Sequence, residues 1–372
     1  MSTEQPVIIV GAGVTGLIFA QACQKKRIPF RIFERDDSAS LPKRRTAEEG
    51  LTVCWPLKVL EDALPDELVK RLSECHASEG GVGIREEGHY DLFFLRTAES
   101  QRQKCLSKCV RLSREKLRML LLTGIQVQCS KTLTETSVIA DAVKAVFSDR
   151  TSETGSILIR CDGSDSTVSR IMHPQGFQTE EDFGVRRLLA TAYYPTSELF
   201  AIRDMSPFFL RCIDPPTGIS LCITFFGKPP RDSHSDDTEK CQLLISWPYR
   251  PNWLDRVDPT DCPNTKIGQR ALLKHLSESW AEPFRSLIQN MPRDADIHPA
   301  DNANGFTGYS PAFGGRVTLA GRALNPVPTR LGEGAESSSA SVEWLLGFLK
   351  QMHGPGADFD FERFGDLLKE HV

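Results

Sequence analysis

The stretch VIIVGAGVTGLIFAQACQKK, residues 7–26, decides the fold of this chain. Its first four residues are β-branched and apolar, as in a buried parallel strand, and apolar residues at helical spacing follow the glycine-rich turn. Gly11 permits a tight turn, Gly13 lets the backbone approach a pyrophosphate, and Gly16 lets the helix pack close to the strand. The N-terminus of the helix then presents unpaired N–H groups to a phosphate anion.

The next segment, RIPFRIFERD at residues 27–36, adds a second strand that ends on Glu34. A carboxylate at this strand end can accept hydrogen bonds from both ribose hydroxyls of an adenosine. It disfavours a 2′-phosphate, so the sequence predicts FAD or NAD in this fold rather than NADP. A βαβ unit with coincidental glycines is the competing interpretation.

The composition is that of an ordinary globular chain. It has 372 residues, a net charge of -4 and 40% hydrophobic residues, which suits one large domain or two closely packed ones. This charge gives no reason to expect nucleic acid, and the 11 cysteines show no zinc-ligand spacing, so no metal is predicted. No stretch approaches the ~20 apolar residues of a membrane span. We therefore predict a cytoplasmic monomer or homodimer that does not bind membranes.

Two further segments carry candidate binding residues. RLSREKLRMLLLTGIQVQC, residues 111–129, predicts a helix and then a strand. Arg114 opens that helix, where it could reach a phosphate or remain solvated. ILIRCDGSDSTVSR, residues 157–170, predicts a buried strand that ends at Asp162 and Gly163. An open α/β sheet binds its ligands at such strand ends, although an Asp-Gly pair is also ordinary turn chemistry.

The segment GRALNPVPTRLGEGAESSSASVEWLLGFL, residues 321–349, reads as a glycine-rich turn and an amphipathic helix. In their order and spacing, these segments resemble the FAD-dependent aromatic-hydroxylase-like monooxygenases, which are single-component flavoproteins. The fungal secondary-metabolism branch is the most similar, and the resemblance covers most of the chain.

The resemblance implies a set of cofactor-binding residues. It assigns the ADP half of FAD to the three glycines of the first turn and to Glu34, and it makes Arg114 line the cofactor channel. It gives the Asp-Gly motif a role toward both FAD and a transient NAD(P)H. The complete predicted set is Gly11, Gly13, Gly16, Glu34, Arg45, Arg114, Asp162, Gly163, Gly321, Arg322, Gly332, Gly334 and Ala335.

The last segment departs from the family pattern at three positions. Arg322 stands where the family has an aspartate that bonds the ribityl chain, Asn325 replaces a histidine-like position, and Glu336 opens the helix. The arginine loses an acceptor and adds a cation that could bind the pyrophosphate, at a cost of about 1–3 kcal/mol for one or two hydrogen bonds. Glu336 suits the helix dipole but would repel a reduced flavin if it pointed inward. The prediction is therefore FAD that is retained but bound more weakly.

The predicted fold class is α/β, or α+β overall, with a Rossmann-like FAD-binding domain and an interleaved, mainly antiparallel β-sheet substrate domain. The FAD-binding domain is predicted at 1–58, 100–176 and 301–350, the substrate domain at 59–99 and 177–300, and a C-terminal helix at 351–372. Aromatic residues of the substrate domain can line a pocket or fill its core, namely Trp55, Phe208, Phe225, Trp247 and Tyr249.

The predicted function is that of an FAD-dependent monooxygenase that uses NAD(P)H and O2. Its expected substrate is a small metabolite of aromatic, polyketide or terpenoid type, which it hydroxylates or epoxidises in a biosynthetic pathway. No catalytic residue is assigned, because no nucleophile motif is present and the cofactor carries the difficult chemistry. Two alternatives stay open: a redox-inactive cyclase or isomerase of the same fold, and a non-catalytic binding protein.

Overall fold

The computed structural model describes residues 5–37, 50–53, 57–76, 89–104, 110–163, 177–178, 184–206, 209–226, 237–300, 305–306, 315–321 and 347. The strands are β1 Val7–Val10, β2 Phe30–Phe33, β3 Gly50–Val53, β4 His89–Phe94, β5 Ser100–Lys104, β6 Val110–Ser113, β7 Val127–Gln128, β8 Leu133–Ile139, β9 Ala142–Phe147, β10 Ser152–Gly155, β11 Ile157–Arg160, β12 Phe177–Gln178, β13 Val185–Pro195, β14 Phe209–Asp214, β15 Ile219–Phe226, β16 Thr238–Pro248, β17 Asp296–Pro299, β18 Gly305–Phe306 and β19 Val317–Leu319. The helices are α1 Val14–Lys26, α2 Leu57–Ala63, α3 Asp66–Lys70, α4 Arg114–Leu121, α5 Thr196–Met205, α6 Lys266–Leu276 and α7 Phe284–Gln289, with a 3-10 turn at Leu72–Cys75.

A parallel five-stranded sheet forms the first half of the molecule, in the order β19-β11-β1-β2-β7. The predicted strand β1 lies at its centre, where Val7 is paired with Ile157 on one side and with Phe30 on the other. All four residues of β1 and of β11 are buried. Buried on both faces, such strands read as continuous apolar runs, which is why VIIV and ILIR were recognisable.

The two faces of this sheet are covered differently. On one face lie α1 and α4, which are tied together because Gln21 Nε2 donates to the carbonyl oxygens of Leu121 (2.7 Å) and Thr123 (2.8 Å). On the opposite face lies the antiparallel sheet β10-β9-β8, where Phe147 stacks on Phe33 with ring centroids 4.4 Å apart. A helix layer and a sheet layer thus enclose one apolar core.

A seven-stranded sheet, β17-β13-β16-β15-β14-β4-β5, forms the second half. Its longest strands are the antiparallel pair β13 and β16, in register from Val185 opposite Pro248 to Pro195 opposite Thr238. Alternate residues of the central strands pack with α5, α6 and α7 into a second core. This parallel sheet beside a mainly antiparallel one confirms the predicted fold class.

Packing divides the chain differently from the predicted domain boundaries in one stretch. Leu60, Leu68 and Cys75 are buried in the first core, although residues 59–99 were assigned to the substrate domain. Conversely, β5 pairs with β4 in the seven-stranded sheet, although it begins at position 100. The reason is that α2, α3 and the 3-10 turn follow one another along α1 and α4, so their apolar sides are buried there before the chain crosses over.

Among the helices that the structure describes, none is long and apolar enough to cross a membrane.

Candidate functional site

The glycine-rich turn after β1 is shaped by close backbone packing. Gly11 has φ +104°, and a Cβ on it would lie 2.6 Å from the carbonyl oxygen of Cys161. A Cβ on Gly16 would overlap the carbonyl oxygen of Gly11, so the helix start and the turn leave no room for a side chain. At Gly13, by contrast, a Cβ would meet nothing within 4 Å. Packing therefore requires glycine at positions 11 and 16, whereas Gly13 borders open space.

Glu34 holds this turn from the side of β2. Its carboxylate is buried, with 2% of the residue exposed, and Oε2 accepts a hydrogen bond of 2.7 Å from the Ala12 N–H. Oε1 accepts a second bond of 3.2 Å from the Asp36 N–H. The two oxygens of this carboxylate thus hold backbone N–H groups on both sides of the end of β2.

Arg118 binds the same residue, Ala12, through its other peptide group, and the sequence did not single Arg118 out. Its Nε donates a hydrogen bond of 3.0 Å to the Ala12 carbonyl oxygen, and the side chain is buried. The predicted residue, Arg114, lies one helical turn earlier at the N-terminus of α4 and is half-buried. The REKLR spacing places both arginines on one face of the helix. In the sequence, an arginine among the leucines of α4 was the signal that could have pointed to Arg118.

The predicted Asp-Gly pair follows β11 after one intervening residue, Cys161. The ideal Cβ of Gly11 would lie 2.9 Å from the Cα of Asp162, so this residue borders the glycine-rich turn. Gly163 has φ +87° and open space around its Cβ position. Asp162 forms an ion pair with Arg160, a second buried arginine that the sequence had not identified as a site residue.

Gly321, which follows β19, packs against the start of α1 beside the glycine-rich turn. It has φ +62°, and a Cβ on it would lie 2.6 Å from Thr15 Oγ1 in the first turn of α1. The carboxyl ends of β1, β11 and β19 thus meet at one edge of the sheet. The chain passes from β1 to β2 on one side and later returns to the other side of β1 as β11, and such a switch point is where open α/β sheets bind ligands.

Several predicted positions lie outside the residues that the structure describes. They are Arg45, Arg322, Gly332, Gly334 and Ala335, together with Asn325, Glu336 and the predicted C-terminal helix. Within the described ranges, no group of three or more His, Cys, Asp or Glu side chains could hold a metal ion.

The seven-stranded sheet has a second candidate surface on the face away from its helices, here called the polar face. Strand pairing places three rows of side chains across it. The central row is His298, Leu189, Leu244, Cys222, Arg211 and Leu92. The flanking rows are Arg187, Ser246 and Ser220 on one side, and Thr191, Gln242 and Thr224 on the other.

The polar face differs from an ordinary core in both chemistry and exposure. Ser220 and Ser246 are hydrogen-bonded to each other, and Gln242 Nε2 donates to Thr191 Oγ1 at 3.4 Å. Leu189 and Leu244 are only half-buried although they lie on central strands. An apolar centre flanked by polar groups is the usual lining of a small-molecule site.

The predicted aromatic residues are not on this face where they are described. Trp247 and Phe225 are each 1% exposed and belong to the helix-side core. Tyr249 lies after β16, and the Arg186 guanidinium stacks 3.5 Å from its ring centroid. For Trp247 and Phe225, core packing was therefore the correct alternative.

The first site fits a dinucleotide. Both peptide groups of Ala12 are fixed, a buried acid stands at the end of β2, and space is open over Gly13. A diphosphate at this turn would face the first N–H groups of α1 and the cations of α4. The fit concerns the ADP half alone, since the segment predicted to hold the flavin half, residues 321–349, is described only at Gly321 and at position 347.

Comparison with known proteins agrees with this geometry. The chain is 35% identical to a protein of Arthroderma benhamiae with the name "Probable FAD-dependent monooxygenase", over 93% of this chain and 81% of that protein. It is 30% identical to the FAD-dependent monooxygenase tazP of Aspergillus terreus, over 92% of this chain and 88% of that protein. No protein-family model matches the chain.

The fold is also that of a solved structure, Klebsiella pneumoniae HpxO complexed with FAD and uric acid. The TM-score is 0.70 at 17% identity, and the match covers 100% of this chain and 85% of that one. At this identity the likeness shows the fold alone.

Proposed function

Because the chain belongs to the FAD-dependent monooxygenases, we propose that it transfers one oxygen atom of O2 to a small organic metabolite, with NAD(P)H as electron donor. The chemistry that FAD supplies when bound is the passage of two electrons from NAD(P)H to O2, which leaves one oxygen atom in the product and one in water. The chain itself has to hold the dinucleotide, orient the substrate and exclude water.

The observation that carries this proposal is the double clamp on Ala12. Glu34 fixes its N–H and Arg118 fixes its carbonyl, so the turn is preorganised before any ligand arrives. In this arrangement Gly13 gives the diphosphate access, and Glu34 accepts the ribose hydroxyls of the ADP half. Arg114 extends the cationic side of α4 toward the flavin half.

The remaining cofactor contacts are carried over from the resemblance. Asp162 and Gly163 would serve FAD and the transient NAD(P)H at the end of β11. The flavin half is assigned to the segments around Arg45 and to the last glycine-rich turn. The residues proposed there are Gly321, Arg322, Gly332, Gly334 and Ala335.

For the substrate, we propose the polar face of the seven-stranded sheet. Its apolar centre suits a flat ring, and its hydroxyl, amide and guanidinium groups suit ring oxygens. This favours an oxygen-bearing aromatic or polyketide-type metabolite over a plain hydrocarbon. Hydroxylation or epoxidation of such a molecule would be a step in a biosynthetic pathway.

The deciding experiment is the visible absorption spectrum of the purified protein. We expect a bound-flavin spectrum, bleached by NADPH or NADH without oxygen and restored by air. Glu34→Gln should raise the dissociation constant for FAD about tenfold or more, because it weakens hydrogen bonds from the ribose hydroxyls to a charged acceptor. A protein that stays colourless after incubation with FAD would contradict the proposal.

A second experiment tests the polar face. Leu244→Trp fills its centre, so substrate-stimulated oxidation of NADPH should fall about tenfold or more while FAD affinity stays unchanged. The matched control is Thr238→Trp, on the same face of β16 but at its exposed end. If both variants respond to substrate alike, the substrate does not bind on this face.

A further inference from the structure

An arginine ends the buried strand β11, where an apolar residue would be expected. Ile157, Leu158 and Ile159 are fully buried, and Arg160 continues the strand with only 2% of its surface exposed. Its Cα partners are Val10 at the end of β1 and Leu319 at the end of β19. Burying a guanidinium costs several kcal/mol in lost hydration, so this position requires a compensating interaction.

The compensation comes from Asp162, two residues along the chain. Arg160 Nε donates to Oδ1 at 3.2 Å, and Nη2 pairs with Oδ2, so the guanidinium holds both carboxylate oxygens. This side-on bidentate pair fixes the plane of the carboxylate as well as its place. Asp162 is 17% exposed at its side chain, whereas Arg160 is not accessible. The arginine therefore acts through the aspartate rather than directly on a ligand.

The position of Asp162 suggests a function for this ion pair. It borders Gly11 at the start of the phosphate-binding turn, and Gly163 beyond it opens onto free space. A diphosphate that follows the turn carries negative charge, and a bare carboxylate beside it would repel it by Coulomb interaction. A carboxylate neutralised by a buried cation would not, and it would still have lone pairs for a ligand hydroxyl.

We propose that Arg160 is a positioning residue that locks the Asp162 carboxylate and cancels its charge, so that a dinucleotide diphosphate can bind next to it. The inference rests on the proposed function, since it takes the ADP half of FAD as the ligand. It adds a residue to the site that acts from beneath the sheet edge without touching the ligand.

The test compares ADP with adenosine, which lacks the phosphates. Binding of each to flavin-free full-length protein is measured by calorimetry for wild type, Arg160→Gln, Asp162→Asn and the double variant. Arg160→Gln should weaken ADP about tenfold or more and adenosine less than about twofold, because only ADP meets the exposed charge. In the double variant the repelling charge is gone, so ADP affinity should return to within about threefold of Asp162→Asn.

Two further variants serve as controls, one for the charge of Arg160 and one for the loss of an arginine elsewhere. Arg160→Lys keeps the charge without the fork and should weaken ADP less than Arg160→Gln does. Arg150→Gln, at an exposed turn, is the matched control and should bind both ligands as wild type does. If Arg160→Gln does not fold, the double variant is compared with Asp162→Asn: equal ADP affinity within about threefold supports the inference, and a larger loss in the double variant overturns it.

The outcomes separate this inference from the function. If wild type binds neither ADP nor FAD, the proposed function fails. If wild type binds both, the inference is overturned by unchanged ADP affinity in Arg160→Gln, by equal losses for ADP and adenosine, or by a double variant that does not recover.

Discussion

At the scale of single residues, the site is organised around one residue, Ala12, whose two flanking peptide groups are both fixed. The Ala12 N–H donates to Glu34 and the Ala12 carbonyl oxygen accepts from Arg118, so the turn at which we propose that the diphosphate binds is fixed by groups from two separate elements. Hydrogen bonds to charged groups contribute about 1.5–3 kcal/mol each, and buried ones exchange slowly with water. The cost of shaping the turn is therefore met within the protein, and ligand binding energy is not used for it.

The three glycines of the turn should respond differently to alanine. Gly16→Ala forces a Cβ onto the Gly11 carbonyl and should lower the melting temperature strongly or prevent folding. Gly13→Ala meets no protein atom and should leave the melting temperature of the flavin-free protein within a few degrees. It should nevertheless weaken FAD about tenfold or more, because the methyl group occupies the path of the diphosphate.

Differential scanning fluorimetry with and without FAD reads both effects. A Gly13→Ala protein that binds FAD as tightly as wild type would show that the diphosphate does not pass this glycine.

Only some of these residues could be predicted from the sequence. The glycines and Glu34 were predictable because their roles depend on local order, strand then turn then helix then strand. Arg118 and Arg160 were not, because an arginine inside a helix or at a strand end has many possible partners. Its partner is decided by packing between elements far apart in sequence, such as α4 against the turn after β1.

At the scale of elements, the turn between β9 and β10 carries a local charge network. Asp149 accepts bonds from Lys131 and Thr151, and the Lys131 hydrogen bond is the main reason that the pKa of Asp149 falls from its ordinary 3.8 to about 2. A lowered carboxyl pKa stabilises the folded chain above about pH 4, and the contribution is lost as the pH falls toward 2.

Asp149→Asn should therefore be less stable than wild type near neutral pH, and the difference should shrink as the pH is lowered below about 4. Urea unfolding at about pH 6 and about pH 3 measures this. Glu135→Gln, exposed on the neighbouring strand β8, is the control and should show the same difference at both values. A difference for Asp149→Asn that does not change with pH would contradict the assigned network.

The elements themselves were largely predictable. Apolar runs and helical periodicity identified β1, α1, β2, α4, β7 and β11, since each is marked by its own residues. The pairing of β13 with β16 was not, because register depends on which faces are buried and not on propensity. The packing of α2 and α3 on the first core was missed for the same reason.

At the scale of the whole molecule, two separate hydrophobic cores support two different proposed binding surfaces. The first core supports the sheet edge at which we propose that the dinucleotide binds, and the second supports the polar face on which we propose substrate binding. A ligand that binds one region of a folded protein slows local opening mainly where it binds.

Hydrogen exchange with mass spectrometry should show this division. Saturating FAD should slow exchange about tenfold or more in residues 10–16 and 160–163, and should leave the β16 ladder at 241–247 unchanged. ADP, which lacks the flavin, is the control and should protect the same two segments. Protection spread evenly over both sheets would mean that FAD acts by stabilising the whole fold.

The outer strand of the parallel sheet has a consequence for biosynthesis. β19 pairs with β11, yet the ribosome delivers it only after the entire seven-stranded sheet has been made. Until then a nascent chain exposes the unpaired backbone edge of β11, which can form hydrogen bonds with the wrong strand. The packing of Thr15 against Gly321 is also missing until that residue has been synthesised. Ribosome-bound chains that stop before Val317 should therefore be the species that chaperones recognise.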